Sequence, residues 1–216
     1  MVFYTRVQGG FWVTIREIDR HDKQLINAVV ALHILTFKGF FLSSMNRGFL
    51  RWLYRSFCEF EDGTLLVAFD EDKPIGFIAY SKNISNLYKY MIKRHLLPFA
   101  WYSFLSFLRR PLILPKLFKA LTMPSSSKRD EESVKVSSIG VDPEYRRHGV
   151  GSRLLDEMKN RVDFTDIDYI TLETDRDDND NANEFYQKNG FKYSYGFVTR
   201  EGRAMNVYHY REKAKQ

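Results

Sequence analysis

The segment Ile139-Gly140-Val141-Asp142-Pro143-Glu144-Tyr145-Arg146-Arg147-His148-Gly149-Val150-Gly151-Ser152-Arg153-Leu154-Leu155 constrains this chain more than any other, because it reads as strand, turn, basic glycine loop and helix in direct succession. Backbone N–H groups in the first turn of a helix have no intrahelical acceptor and lie at the positive end of the helix dipole, so they bind phosphate oxygens readily. Gly149 and Gly151 carry no Cβ to hold a ligand away from that backbone. Arg146 and Arg147 put permanent charge at the rim, where phosphate accepts charge-assisted hydrogen bonds. The expectation is an anion site, with pyrophosphate as the favoured ligand. A P-loop would need a Gly-Lys-Ser/Thr ending, which is absent, and a dinucleotide fingerprint would need a third glycine where Leu154 stands.

The rest of the pattern is that of an α/β chain with a mixed, mostly antiparallel sheet. Alternation over residues 11–18 predicts a first strand, and Leu25, Ile26, Val29, Val30 and His33 recur at helical spacing behind Asp22, a plausible N-cap. A second helix is expected over residues 48–57. A hairpin follows, from residues 64–70 and 75–80 around the polar turn Glu71-Asp72-Lys73-Pro74. Residues 134–141 read as a strand interrupted at Ser137-Ser138, residues from Val150 onward as a helix with Leu154, Leu155, Met158 and Val162 on its apolar face, and residues 169–174 as a strand. A helix over 180–188 ends at Gly190, and two strands close the chain. At 216 residues one domain suffices, and there is no internal repeat. Cys58 stands alone, which excludes an internal disulfide and a zinc site of paired thiolates and leaves a passive thiol. No secretory signal is visible, so a cytoplasmic location is expected.

The glycine loop resembles the acetyl-CoA loop of the GCN5-related N-acetyltransferase (GNAT) family, Q/R-x-x-G-x-G/A, on Arg146, Gly149 and Gly151. The segment Asn179-Asp180-Asn181-Ala182-Asn183-Glu184-Phe185-Tyr186-Gln187-Lys188-Asn189-Gly190-Phe191 is similar to the family's N-x-x-A-x-x-F/L-Y-x-x-x-G-F helix, at the expected distance downstream. The resemblance covers residues 134–210 well, 11–80 in element order only, and 84–130 not at all. It implies a GNAT-like fold whose fourth and fifth strands splay apart, and transfer of an acetyl group from acetyl-CoA, as cosubstrate, to an amine. Backbone of Ile139, Gly140 and Val141 would pair with the pantetheine arm. Arg147, His148, Gly149, Val150, Gly151 and Ser152 would hold the pyrophosphate on their main chain, with Arg146 at the rim, and Asn179 would contact the cofactor arm or cap its helix. Tyr186 would protonate the departing thiolate, a task suited to a weak acid near a sulfur gaining charge, unless it is a core aromatic. Glu173 is the candidate general base, with a solvent-facing glutamate as the plain alternative, and His33 reads as a core histidine. The acidic run 175–180 fails the EF-hand pattern, since Asp180 occupies the glycine position and Tyr186 the closing glutamate, so no metal is expected.

Charge is concentrated in the part the resemblance leaves out. Residues 84–123 carry seven Lys and Arg and no Asp or Glu, more than the whole chain's net charge of +6. This stretch is apolar and aromatic between those charges, and Pro98, Pro111 and Pro115 predict two or three short helices in an insertion over residues 84–130. Three roles stay open for it: a packed helical layer, a lid whose Arg109 and Arg110 face an anionic acceptor such as a nucleotide-linked amino sugar, or a contact with a membrane surface. A small-molecule amine is the expected partner, with no nucleic acid, and a homodimer is compatible with the pattern. The rival function is an acetyl-CoA-binding or membrane-associated module that performs no transfer.

Overall fold

The computed structural model describes residues 5–6, 12–40, 42–109, 133–199 and 202–212. Their strands are β1 (Thr5–Arg6), β2 (Trp12–Glu17), β3 (Gly63–Asp70), β4 (Lys73–Ser81), β5 (Ser133–Val141), β6 (Tyr169–Asp175), β7 (Lys192–Val198) and β8 (Ala204–Tyr210). The helices are α1 (Lys23–Thr36), α2 (Arg47–Glu59), α3 (Ile84–Arg109), α4 (Val150–Arg161) and α5 (Asp180–Lys188). The strands form one eight-stranded sheet in the order β1-β2-β3-β4-β5-β6-β8-β7. Every pair is antiparallel except β5 with β6, so the expected mixed sheet is present, and the strands read as fourth and fifth are β5 and β6.

Both faces of this sheet are buried at its centre because the middle residues of β3 and β4, 65–69 and 75–80, run apolar without alternation. Along β3, Leu65, Val67 and Phe69 point into one apolar cluster with α1, α2 and the first part of α3, whereas Leu66 and Ala68 point into the other with α4. Burying one such leucine or phenylalanine contributes about 1.5–3 kcal/mol, which places the main stabilisation in the centre of the sheet. Asp22 acts as read, accepting from the Leu25 N–H at 2.9 Å and starting α1; Asn46, not read as a cap in the sequence, accepts from the Gly48 N–H at 2.8 Å and starts α2. The β3–β4 turn is tighter than expected, at Glu71-Asp72, with Lys73 and Pro74 already in the strand.

Over residues 84–109 the expected short helices are present as two segments of α3, 26 residues in all, that meet at a kink at His95 (φ −128°, ψ 24°). Pro98 has no N–H for the Arg94 carbonyl and its ring crowds that group, so the break falls between the two. Tertiary contacts seat the second segment: the Phe99 ring meets Phe49 edge-on at 5.0 Å, and the Ser106 hydroxyl accepts the Asn46 N–H at 2.9 Å. Pro111 and Pro115 lie outside the described residues.

The kink is pinned by buried charge. His95 Nε2 lies 2.6 Å from Glu59 Oε2, Arg55 Nε donates to Glu59 Oε1 at 2.6 Å, and the Tyr90 hydroxyl donates at 3.2 Å. Burial alone would raise the Glu59 carboxyl, but the hydrogen bonds from Arg55 and His95 outweigh it and hold the group below the usual carboxylate range. A depressed carboxyl adds stability that is present above its unfolded-state value and lost as pH falls through its folded one. Glu59→Gln should therefore lower the melting temperature at neutral pH by about 6–12 °C, the equivalent of roughly 3 kcal/mol for a broken buried pair in a chain of this size. Thermal melts followed by circular dichroism should show that gap closing as both proteins are acidified below pH about 4.

Candidate functional site

Strands β5 and β6 stay paired for three residues only, Ser133–Tyr169, Val134–Ile170 and Lys135–Thr171. Beyond them β5 follows β4 to Val141, and β6 follows β8 to Asp175. A wedge opens between residues 136–141 and 172–175, and the main-chain groups on its inner edges have no ladder partner. The register of β5 on β4 slips at the same place: Ala79 faces Ser138 and Tyr80 faces Val136, leaving Ser137 as an extra residue. Such a bulge bends and twists its strand, here away from β6.

The chain leaves β5 straight into the glycine loop. Asp142 accepts from the Glu144 N–H at 3.0 Å, and the Tyr145 hydroxyl donates to Asp70 at 3.0 Å, which anchors the turn on the β3–β4 hairpin. Arg147 (φ 64°) and Gly149 (φ 84°) then take left-handed backbone, a combination that gathers successive N–H groups into a concavity. No side chain caps α4, in contrast to α1 and α2, so its first amides, those of Val150, Gly151 and Ser152, are left for an external acceptor. Space around a Cβ at Gly149 is open to 4 Å, and Arg146 and Arg147 are exposed, while His148 is half-buried. These residues fit a diphosphate. Gly151 has a different reason from the one read in the sequence: a Cβ there would stand 3.0 Å from the Phe185 ring, so its smallness lets α5 approach α4.

Helix α5 brings the second motif to the wedge. Asn179 sits at its N-cap position but makes no side-chain cap; its Nδ2 donates to Thr174 Oγ1 at 2.7 Å and to the Asp175 carbonyl at 3.2 Å, tying the end of β6 to α5. Tyr186 is half-buried, with its ring 6.1 Å from those of Phe191 and Tyr208, and burial pushes its phenol up to about 12. Glu173 lies on β6 just past the last β5 pair, exposed, with Oε1 held by the Lys135 ammonium at 2.6 Å. Two aspartates of the acidic run beside it are paired with arginine: Arg203 takes both oxygens of Asp175 at 2.7 Å, and Arg176 takes Asp177 at 3.0 Å.

On the other face of the sheet, His33 is buried in the α1–α2 cluster, where burial lowers its imidazole to about 4. Its Nδ1 lies 2.6 Å from the Tyr54 hydroxyl, which in turn meets the Ser138 hydroxyl at 3.2 Å, so this polar chain ends on the bulged strand. At the end of α1 the Thr36 methyl packs over Gly140, and beside it opens a cavity of about 490 Å³. Lys38, Phe40, Ser43, Asn46 and, from α3, Ser106 line it. Cys58 is half-buried, its thiol donating to the Tyr54 carbonyl at 3.4 Å and pushed up to about 12 by burial, as befits a passive group. Residues 110–130 of the segment read as a lid, Arg110 among them, lie outside the described residues, as does the side chain of Arg109. Among the described residues no group of three His, Cys, Asp or Glu side chains converges.

Comparison with known proteins gives one family match, to the acetyltransferase (GNAT) family, over residues 28–191. No curated protein matches the sequence. Among solved structures, an N-acetyltransferase from Staphylococcus aureus Mu50 superposes with a TM-score of 0.60 at 14% identity over 92% of this chain and 98% of that one. YncA from Salmonella typhimurium, solved with its cofactor acetyl-CoA, gives 0.59 at 12% identity over 94% and 95%. Aminoglycoside 6'-acetyltransferase type Ii gives 0.59 at 16% identity over 94% and 99%. At these identities the likeness is one of fold.

Sequence reasoning found the loop and the α5 motif but missed what holds them together. Asn183 is buried on α5, and its Oδ1 accepts from the Asn206 amide at 2.9 Å and the Tyr208 hydroxyl at 2.8 Å, both on β8. Its Nδ2 donates to the carbonyls of Asp175 at 3.0 Å and Asn179 at 2.9 Å. A signal was available, since asparagine is a poor residue for the middle of a helix and for a strand, and both positions carry one. Asn183→Ala strands two buried donors at once and should cost about 2–4 kcal/mol in urea unfolding, with hydrogen exchange rising first at the amides of α5.

Proposed function

Because the chain belongs to the GNAT acetyltransferase family, which uses acetyl-CoA as cosubstrate, we propose that it transfers the acetyl group to a primary amine of an acceptor held in the cavity between the 37–46 segment and α3. The observation that carries this reading is the wedge between β5 and β6, which leads directly into the uncapped amides of α4. Acetyl-CoA supplies a thioester activated for attack, with a pyrophosphate at the far end of an amide-bearing arm. Amides of Val150, Gly151 and Ser152 bind the diphosphate, with Arg146 and Arg147 at the rim. The edge of β5 at Ile139, Gly140 and Val141 supplies main-chain partners for the arm, and Asn179, which caps nothing, has its side-chain oxygen available to it.

Two protons have to move in this reaction. The acceptor ammonium must lose one before its nitrogen can attack, and the sulfur must gain one as its bond to carbon breaks. Tyr186 serves the second need: burial keeps the proton on its phenol through the working pH range, and the same burial raises the proton affinity of the sulfur. Glu173 faces the first need, with one carboxylate oxygen held by Lys135 and the other open to the amine or to an intervening water.

Lys38 gives the acceptor cavity a positive charge, and the serines and Asn46 give it hydrogen-bonding partners, which favours an amine carrying phosphate or carboxylate, such as a nucleotide-linked amino sugar. Tyr186→Phe should lower kcat about 100-fold with the KM for acetyl-CoA unchanged, measured by thiol release; unaltered turnover would remove the tyrosine from the chemistry. Lys38→Glu should raise the acceptor KM about tenfold for anionic amines and leave it unchanged for neutral ones, tested across a panel that includes nucleotide amino sugars.

A further inference from the structure

The second half of α3 has two apolar faces, and the fold uses one. Phe99 and Tyr102 face the core, packed around Met45 and Phe49, and Ser103 and Ser106 are buried with them. On the opposite side Leu97, Trp101, Phe104 and Leu108 recur at the i, i+4, i+7, i+11 spacing of one helical stripe. They are 81%, 59%, 50% and 63% exposed, and the Trp101 and Phe104 rings lie 6.4 Å apart as neighbours on the surface. Scattered exposed leucines need no explanation, but four large side chains in register on one helix face do.

Charge indicates what covers them. Lys89, Lys93 and Arg94 are exposed on the turns just before the stripe, and the sequence from residue 84 to 123 contains no acidic side chain. A protein partner is matched by mixed charge at its rim, whereas exposed basic residues of one sign beside an aromatic and aliphatic stripe are complementary to an anionic lipid surface. Area argues against a second copy of the chain: with large side chains of roughly 150–250 Å² each, a stripe exposed to this degree offers on the order of 400–500 Å², about half of the ~800 Å² per partner of a stable dimer. Crossing the bilayer is a different matter, since no described helix is long and apolar enough to do so.

We infer that α3 docks this protein on the surface of an anionic phospholipid bilayer, with Leu97, Trp101, Phe104 and Leu108 sunk among the acyl chains at the headgroup boundary and Lys89, Lys93 and Arg94 against the phosphates. The stripe faces away from Ser106 and the cavity it lines, so docking leaves that cavity unobstructed, and acetyl transfer in solution does not depend on it.

The test is sedimentation of the full chain with vesicles of phosphatidylcholine alone or phosphatidylcholine mixed with phosphatidylglycerol. Binding should be strong to the mixed vesicles, weak to the neutral ones, and reduced by added salt. W101S combined with F104S should lower the partition coefficient about tenfold or more while thiol release in solution and the melting temperature stay at their wild-type values. K89E combined with K93E leaves the stripe intact and should abolish the preference for phosphatidylglycerol. Absence of binding to either vesicle, or binding untouched by both double variants, overturns the inference. So does a wild-type dimer in light scattering that W101S combined with F104S converts to monomer, because the stripe then belongs to a second copy.

Discussion

Main-chain groups inside a sheet are satisfied by the neighbouring strand, and where β5 parts from β6 that ladder ends in the middle of the sheet. Three residue pairs hold the two strands together; past them each is supported only on its outer side, by β4 and by β8. The slip at Ser137 makes the parting stable, since an inserted residue bends β5 out of plane without breaking its ladder with β4. What results is a slot lined by main-chain donors and acceptors, open to a molecule that is itself amide-bearing. The remaining site residues are placed by this slot. The glycine loop is the direct continuation of β5, and Asn179 and Tyr186 sit on the helix that follows β6.

Rigidity around the slot is distributed over both faces of the sheet. On one, Gly151 allows the Phe185 ring to close against the start of α4, and Asn183 joins α5 to β6 and β8 through three hydrogen bonds, with a fourth to the Asn179 carbonyl at the start of its own helix. On the other, His33, Tyr54 and Ser138 connect α1 and α2 to the bulged strand inside an otherwise apolar cluster. Buried polar groups are costly when unpaired and directional when paired, so these two networks set orientation where apolar packing alone would tolerate sliding. The cavity beside the end of α1 lies beyond the second network, with Ser106 of α3 in its wall.

Helix α3 obeys its proline. The hydrogen-bond ladder breaks at His95, and Pro98 falls in the first turn of the second segment, where its missing N–H costs little. The Glu59–His95–Arg55 cluster fixes the angle of the break, and the contacts of Phe99 with Phe49 and of Ser106 with Asn46 seat the second segment. Packing covers one side of that segment and leaves the other apolar and exposed.

Elements whose determinants lie within a few residues of one another were legible in the chain itself: the α1 cap at Asp22, α4 and α5, and the hairpin of β3 and β4 to within two residues. The glycine loop leading into an uncapped helix start was legible for the same reason, because loop and cap chemistry are local properties. Folding alone decided how far β5 accompanies β6, that Gly151 makes room for Phe185, and that the second segment of α3 packs on Phe49. Each of these depends on register between segments tens of residues apart, and side-chain periodicity specifies which face of an element is apolar without specifying what will lie against it.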